Sequence, residues 1–94
     1  MQKELIERLK KAMPSIKRKY SIENLSLFGS ILRDDFTKLS DVDILVDFQS
    51  DDALMFLDLA DELELILNRK IDLVSKRSLK PRHLSYIEKQ LLHV

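Results

Sequence analysis

The chain contains one glycine in 94 residues, Gly29, and Ser30 follows it directly. Ten residues further on stand two carboxylates, Asp41 and Asp43, separated by Val42. Glycine is required where φ is positive or where another group approaches the backbone closely. Here it closes an apolar run (Leu25, Leu27, Phe28) and opens a turn whose first amides can face a phosphate. Acids two apart on a strand point to one face, an arrangement that holds a divalent cation. A phosphate cradle beside metal-binding carboxylates indicates phosphoryl or nucleotidyl transfer.

Several elements must position these groups. Residues 25–29 read as a first strand. Residues 41–48 read as a second, in which Val42, Ile44, Val46 and Phe48 alternate with Asp41, Asp43, Leu45 and Asp47. Residues 70–74 read as a third, with Asp72 in its middle. Leu5, Ile6, Leu9, Ala12 and Met13 form one stripe of an amphipathic helix over 2–12, which Pro14 is expected to interrupt before a short helical piece to about Lys19. Residues 21–24 read as a turn. The stretch from Ser30 to Ser40 is expected to hold one helical turn at about 31–34 and then irregular chain, a length that usually marks a functional connection.

Ser50-Asp51-Asp52 is expected to cap a helix over about 52–67, with Leu54, Leu57, Ala60 or Asp61, Leu63, Leu65, Ile66 and Leu67 on its inner side. Asn68-Arg69 ends it. Residues 75–80 form a basic loop, and Pro81 opens a last helix running to about Leu92.

Connectivity brings the acids together. Gly29-Ser30 ends the first strand while Asp41 and Asp43 begin the second, so a shared site requires those strands to be antiparallel. The long helical connection from second to third strand is that of a parallel crossover. A right-handed crossover then places Asp72 at the same end of the sheet. The expected architecture is α/β, a small three-stranded mixed sheet flanked by helices, in a single domain over 1–94.

The residue types suit the chemistry. Asp41 and Asp43 can bridge one or two Mg²⁺ ions, which prefer few carboxylates plus substrate phosphates. Ser30 can bind terminal phosphates through its hydroxyl and amide. Arg33 matches phosphate oxygens with its planar fork, or simply pairs with Asp34 or Asp35. Asp72 completes a second metal site or takes the proton of an attacking hydroxyl. Asp34, Asp35 and Asp47 read as solvated acids.

Bulk properties narrow the class. Hydrophobic content of 45% and charged content of 34% suit a globular protein. No apolar run approaches a bilayer span and the first residues lack a signal-peptide core, so a cytoplasmic protein with no membrane association is expected. The absence of cysteine removes thiolate ligands and nucleophiles. Formal net charge is +0, but bases gather in residues 1–20 and 69–94 and acids in 34–62. This balance argues against a nucleic-acid binder.

Gly29-Ser30, ten residues and Asp41-x-Asp43 resemble the signature of the DNA polymerase beta-like nucleotidyltransferase superfamily. The run LFGSILRDDFTKLSDVDILVDF is similar to the minimal nucleotidyltransferases at Phe28, Gly29, Ser30, Arg33, Asp35, Ser40, Asp41, Asp43, Leu45 and Val46. It departs from them at Leu32, where a small residue is usual, and at Asp34, where glycine is usual. The resemblance covers nearly the whole chain and implies the minimal nucleotidyltransferase fold. It also implies ATP as donor, about two Mg²⁺ ions, and the third carboxylate at Asp72.

Minimal nucleotidyltransferases resemble the antitoxin half of two-gene, type VII toxin–antitoxin modules. Their implied partner is a co-encoded, all-helical HEPN-domain toxin, which receives AMP on a tyrosine. The other implied role is a binding-only antitoxin that masks the toxin. The segment KPRHLSYIEKQ is similar to the tails of these antitoxins, with His83 and Tyr86 as packing or interface residues. Lys76-Arg77 and Lys80-Pro81-Arg82 follow the third strand and are expected to flank the site opening.

Overall fold

β2 (Val42–Phe48) forms the centre of the sheet, and its alternation sorts side chains between two faces. Val42, Ile44 and Val46 are fully buried, whereas Asp43 and Asp47 on the opposite face are half-buried. The structure is a computed structural model and describes residues 2–49 and 52–94. Around β2 lie α1 (Gln2–Tyr20), β1 (Ile22–Phe28), α2 (Ala53–Leu67), β3 (Ile71–Ser75), α3 (Pro81–Glu88) and β4 (Leu92–His93). The sheet order is β3-β2-β1-β4. β1 pairs antiparallel with β2, and β3 pairs parallel with β2, as the site geometry requires.

Four expectations are corrected. The sheet has four strands rather than three, because Leu92 and His93 pair antiparallel with Leu27 and Ser26. The last helix accordingly stops at Glu88 instead of continuing to Leu92. α1 runs unbroken through Pro14. Pro14 is exposed, so the Lys10 carbonyl that its ring deprives of a partner remains open to water. Leu5, Leu9, Met13, Ile16 and Tyr20 continue one buried stripe across it, and Arg18 Nε donates to the Pro14 carbonyl at 3.2 Å. Residues 22–24, expected in a turn, already belong to β1.

α1 and α2 cover one face of the sheet. Leu9, Ile16, Leu25, Leu27, Ile44, Leu59, Leu63 and Leu67 are fully buried between them and the strands. In α2 the inner side is Leu59, Leu63 and Leu67, while Leu54, Leu57 and Leu65, expected to face inward, are exposed. The helix carries leucines on every side; Leu59, Leu63 and Leu67, four residues apart, form its fully buried line, and Met55, Phe56 and Ile66 pack partly buried against the core beside it. The Asp52 side chain accepts from the amides of Leu54 and Met55 at 2.9 and 3.4 Å, capping the helix. Ser50 and Asp51, the other expected caps, lie outside the described residues. Asn68 ends the helix in the left-handed region at φ 51°. Lys19 Nζ and the Tyr20 hydroxyl both donate to Glu62 Oε1, at 2.7 and 2.8 Å, tying α1 to α2. No helix among the described residues is long and apolar enough to cross a membrane.

Candidate active site

Gly29 adopts φ +77°, a conformation side chains rarely tolerate. A Cβ added there would run into the Asp43 carboxylate, with Asp43 Cγ only 3.1 Å away. The glycine therefore serves both needs at once: it turns the chain out of β1 and lets the backbone lie against an acid. Gly29–Leu32 form a single 3-10 turn in which the Arg33 amide donates to the Ser30 carbonyl at 2.9 Å. The turn expected at 31–34 is present two residues earlier.

The register completes the set. Phe28 lies opposite Asp43 on β1, and Asp72 lies beside Asp43 on β3. Asp41 immediately precedes β2, where the Val42 amide donates to the Lys70 carbonyl at 3.0 Å. The Asp43 carboxyl is held above its ordinary range, first by burial, then by the negative charges of Asp72 and Asp41 and a hydrogen bond shared with Asp72. The Arg33 charge pulls it the other way. Thus Gly29, Ser30, Asp41, Asp43 and Asp72 gather at one end of the open face of the sheet.

Arg33 lies at the edge of this group. Its Nε donates to Asp35 Oδ1 at 3.2 Å and its side chain is 56% exposed, so the pairing with Asp35 is the one present. Lys76, the first of the basic residues after the third strand, does not flank the carboxylates. Lys76 leaves the far end of β3, about 13 Å along the strand from Asp72 at ~3.3 Å per residue. There its Nζ stands 3.9 Å from Asp47 Oδ2. Tyr86 is 68% exposed, which removes it from the core.

The donors of this set are carboxylate oxygens, the ligand type a divalent cation such as Mg²⁺ takes. Burial, and then the charges of Asp72 and Asp41, raise the Asp43 pKa, and a cation among the three carboxylates would relieve their mutual repulsion with the all-oxygen ligands Mg²⁺ prefers. Among the described residues no group of three His, Cys, Asp or Glu side chains is placed to hold a metal ion by itself. A metal held here would take its remaining ligands from substrate oxygens and water.

The loop from Arg33 to Ser40 is braced by residues whose part was not legible in the sequence. Arg69, just past the α2 cap, donates from one terminal nitrogen to the carbonyls of Thr37 and Ser40, both at 2.7 Å. Its guanidinium also lies 4.7 Å from the centre of the Phe36 ring. Gln2 Nε2 donates to the carbonyls of Ile31 and Arg33 at 2.9 and 2.7 Å. These contacts span about thirty residues of sequence and fix both ends of the connection between the Gly29–Leu32 turn and Asp41.

Fold and site together define a nucleotidyltransferase. The family described as "Polymerase beta, Nucleotidyltransferase" matches residues 10–92, and the chain belongs to it. Over 93 residues it is 38% identical to a Methanocaldococcus jannaschii protein provisionally named a protein adenylyltransferase, covering 97% of this chain and 95% of that one. It is 34% identical over 80 residues to the protein adenylyltransferase MntA of Thermococcus cleftensis, covering 84% of this chain and 81% of the relative. A solved structure provisionally described as a minimal nucleotidyltransferase superposes with TM-score 0.86 at 27% identity, covering 100% of this chain and 97% of the other. The fold also occurs, at TM-score 0.69 and 24% identity, in a solved complex of a tri-AMPylated Shewanella oneidensis HEPN toxin with its MNT antitoxin, covering 99% of this chain and 71% of that one.

Proposed function

We propose that this protein is a Mg²⁺-dependent protein adenylyltransferase that moves AMP from ATP to a tyrosine of a helical HEPN-domain toxin, acting as the antitoxin of a type VII module. The observation that carries the reading is the approach of Gly29 to Asp43, with Asp72 in register and Asp41 beside it. It supplies a backbone site for phosphates within reach of carboxylates that hold metal. The relatives named protein adenylyltransferases support the reaction, and the antitoxin–toxin complex supports the partner.

In this reading Ser30 and the amides of its turn bind the β- and γ-phosphates, and Gly29 admits them against the strand. Asp41 and Asp43 hold Mg²⁺, which when bound neutralises charge on the triphosphate and on the entering oxygen. The tyrosine oxygen bonds to the α-phosphorus as the bond to the bridging oxygen breaks and pyrophosphate leaves. Asp72 accepts the phenol proton or completes the metal ligand set. Arg33 balances negative charge at the rim. The exposed Leu54, Leu57, Leu65 and Tyr86 give the molecule apolar surface of the kind a protein partner covers.

Transfer of labelled AMP from ATP to the co-encoded partner tests the proposal. Label should move only with Mg²⁺ present and should stop in the Asp41→Asn/Asp43→Asn double variant. A double variant that neutralises the toxin as well as the wild type, with no label transferred by either, would establish the binding-only role instead.

A further inference from the structure

The open face of the sheet carries a second feature beside the carboxylates. A cavity of about 300 Å³ lies there, and none of Gly29, Ser30, Asp41, Asp43 or Asp72 lines it. It begins at Leu45, the residue after Asp43 on the same face of β2, about 7 Å along the strand. On β1 it is bounded by Ser26 and Asn24, which lie opposite Leu45 and Asp47. Ser26 lies two residues before Phe28, the last residue of β1, about 7 Å along the strand, and Gly29 and Ser30 follow there as the chain turns out of the sheet.

The lining selects a class of ligand. Leu45, 5% exposed, and Leu91 provide apolar walls. Asp47 and Glu88 are opposed by Lys76 alone, and Lys76 already stands 3.9 Å from Asp47, so a second phosphate or another anion is disfavoured. Hydrogen-bonding groups come from the Asn24 amide, the Ser26 hydroxyl and the His93 ring. Ser26, only 2% exposed, is bonded to His93 Nδ1 at 2.7 Å. That bond orients the imidazole and leaves Nε2 for a ligand. An uncharged, flat heterocycle with hydrogen-bonding edges satisfies all three conditions, and the volume lies at the lower end of small-ligand sites.

We propose that this cavity is the base subsite of the donor nucleotide, with Asn24 and His93 reading the base edge and Leu45 and Leu91 against its faces. The inference rests on the nucleotidyltransferase reading of the neighbouring carboxylates. It assigns a role to β4: the two-residue strand places His93 on the site face through its pairing with Ser26.

Titrating the wild-type protein with adenosine alone, followed by NMR of the His93 ring and the Asn24 side-chain amide, tests it without metal or catalysis. Saturable shifts at both groups are expected. Leu91→Trp, which fills the cavity, should weaken Mg²⁺–ATP binding about tenfold or more while leaving Mg²⁺–tripolyphosphate unchanged. Asn24→Ala, at an exposed position, should weaken ATP about two- to tenfold, the scale of one neutral hydrogen bond. The subsite is overturned if adenosine leaves His93 and Asn24 unmoved, or if the variants weaken ATP and tripolyphosphate alike. It is equally overturned if N-acetyl-tyrosinamide displaces the shifts more tightly than adenosine, since the cavity then takes the acceptor. Adenosine shifts in a protein that transfers no AMP support the subsite and count against the transferase reading, so the two fail separately.

Discussion

The two faces of β2 are built differently. On one face Val42, Ile44, Val46 and Phe48 are buried under α1 and α2. On the other, Asp43 and Asp47 are half-buried and α3, which has no buried residue, gives little cover. One strand thus supplies stability with its even positions and, apart from the buried Leu45, charge with its odd ones. The acids gain a rigid platform because the residues between them are locked, and the open face tolerates crowded carboxylates because the helical face provides the burial.

That division predicts that substitutions separate cleanly by face. Asp72→Asn should lower the transfer rate ~10²–10⁴-fold if Asp72 takes the proton, with the thermal midpoint little changed. Unchanged ATP affinity and unchanged rate would return Asp72 to the solvated acids. Ile44→Ala, one residue from Asp43 but on the other face, should cost about 2–5 kcal/mol of stability by leaving a cavity in the core. Urea unfolding measures it, and a cost below 1 kcal/mol would mean that the helices do not lock the strand.

Arg69→Gln lies between these extremes. It removes the charged donor that holds the Thr37 and Ser40 carbonyls, and should cost about 1–2 kcal/mol while lowering activity through a loosened Asp41. Faster amide exchange over residues 36–40 is the accompanying readout. If exchange there is unaltered, the loop is held by other contacts.

The smallest effect has the opposite sign. Asp43 holds its proton more tightly folded than unfolded, so its contribution favours folding in acid and is lost as pH rises through the raised value. Above that value its ionised carboxylate weakens the metal-free protein. Asp43→Asn should therefore stabilise that form by a few tenths to about 1 kcal/mol at neutral pH, with the gain vanishing below the ordinary carboxylate range. Melts across pH check it, and Asp43→Asn less stable than wild type at neutral pH would contradict the crowded-carboxylate account.

Much of this contrast was readable in advance, because period-two alternation and the placement of acids at strand ends are local signals. Gly29, Asp43 and Asp72 fall together once strand directions follow from connection lengths. What escaped depends on distant partners. Leu92-His93 is too short to show a strand period, and its identity as β4 comes from pairing with Leu27 and Ser26. The bonds of Arg69 reach back some thirty residues, with no pattern in the chain to announce them. α2 offers leucines on every side, so periodicity alone did not single out Leu59, Leu63 and Leu67. Pro14 signalled a break that the buried stripe across it overrode.

The central claim is that the open face transfers AMP to a partner protein. Its most direct test is the intact mass of the proposed HEPN-domain partner after incubation with this protein, ATP and Mg²⁺. The account predicts a gain of one or more AMP residues, mapped by fragmentation to a tyrosine, and no gain with Asp41→Asn/Asp43→Asn. An unchanged partner mass in the wild-type reaction, with the toxin nonetheless silenced, would contradict it.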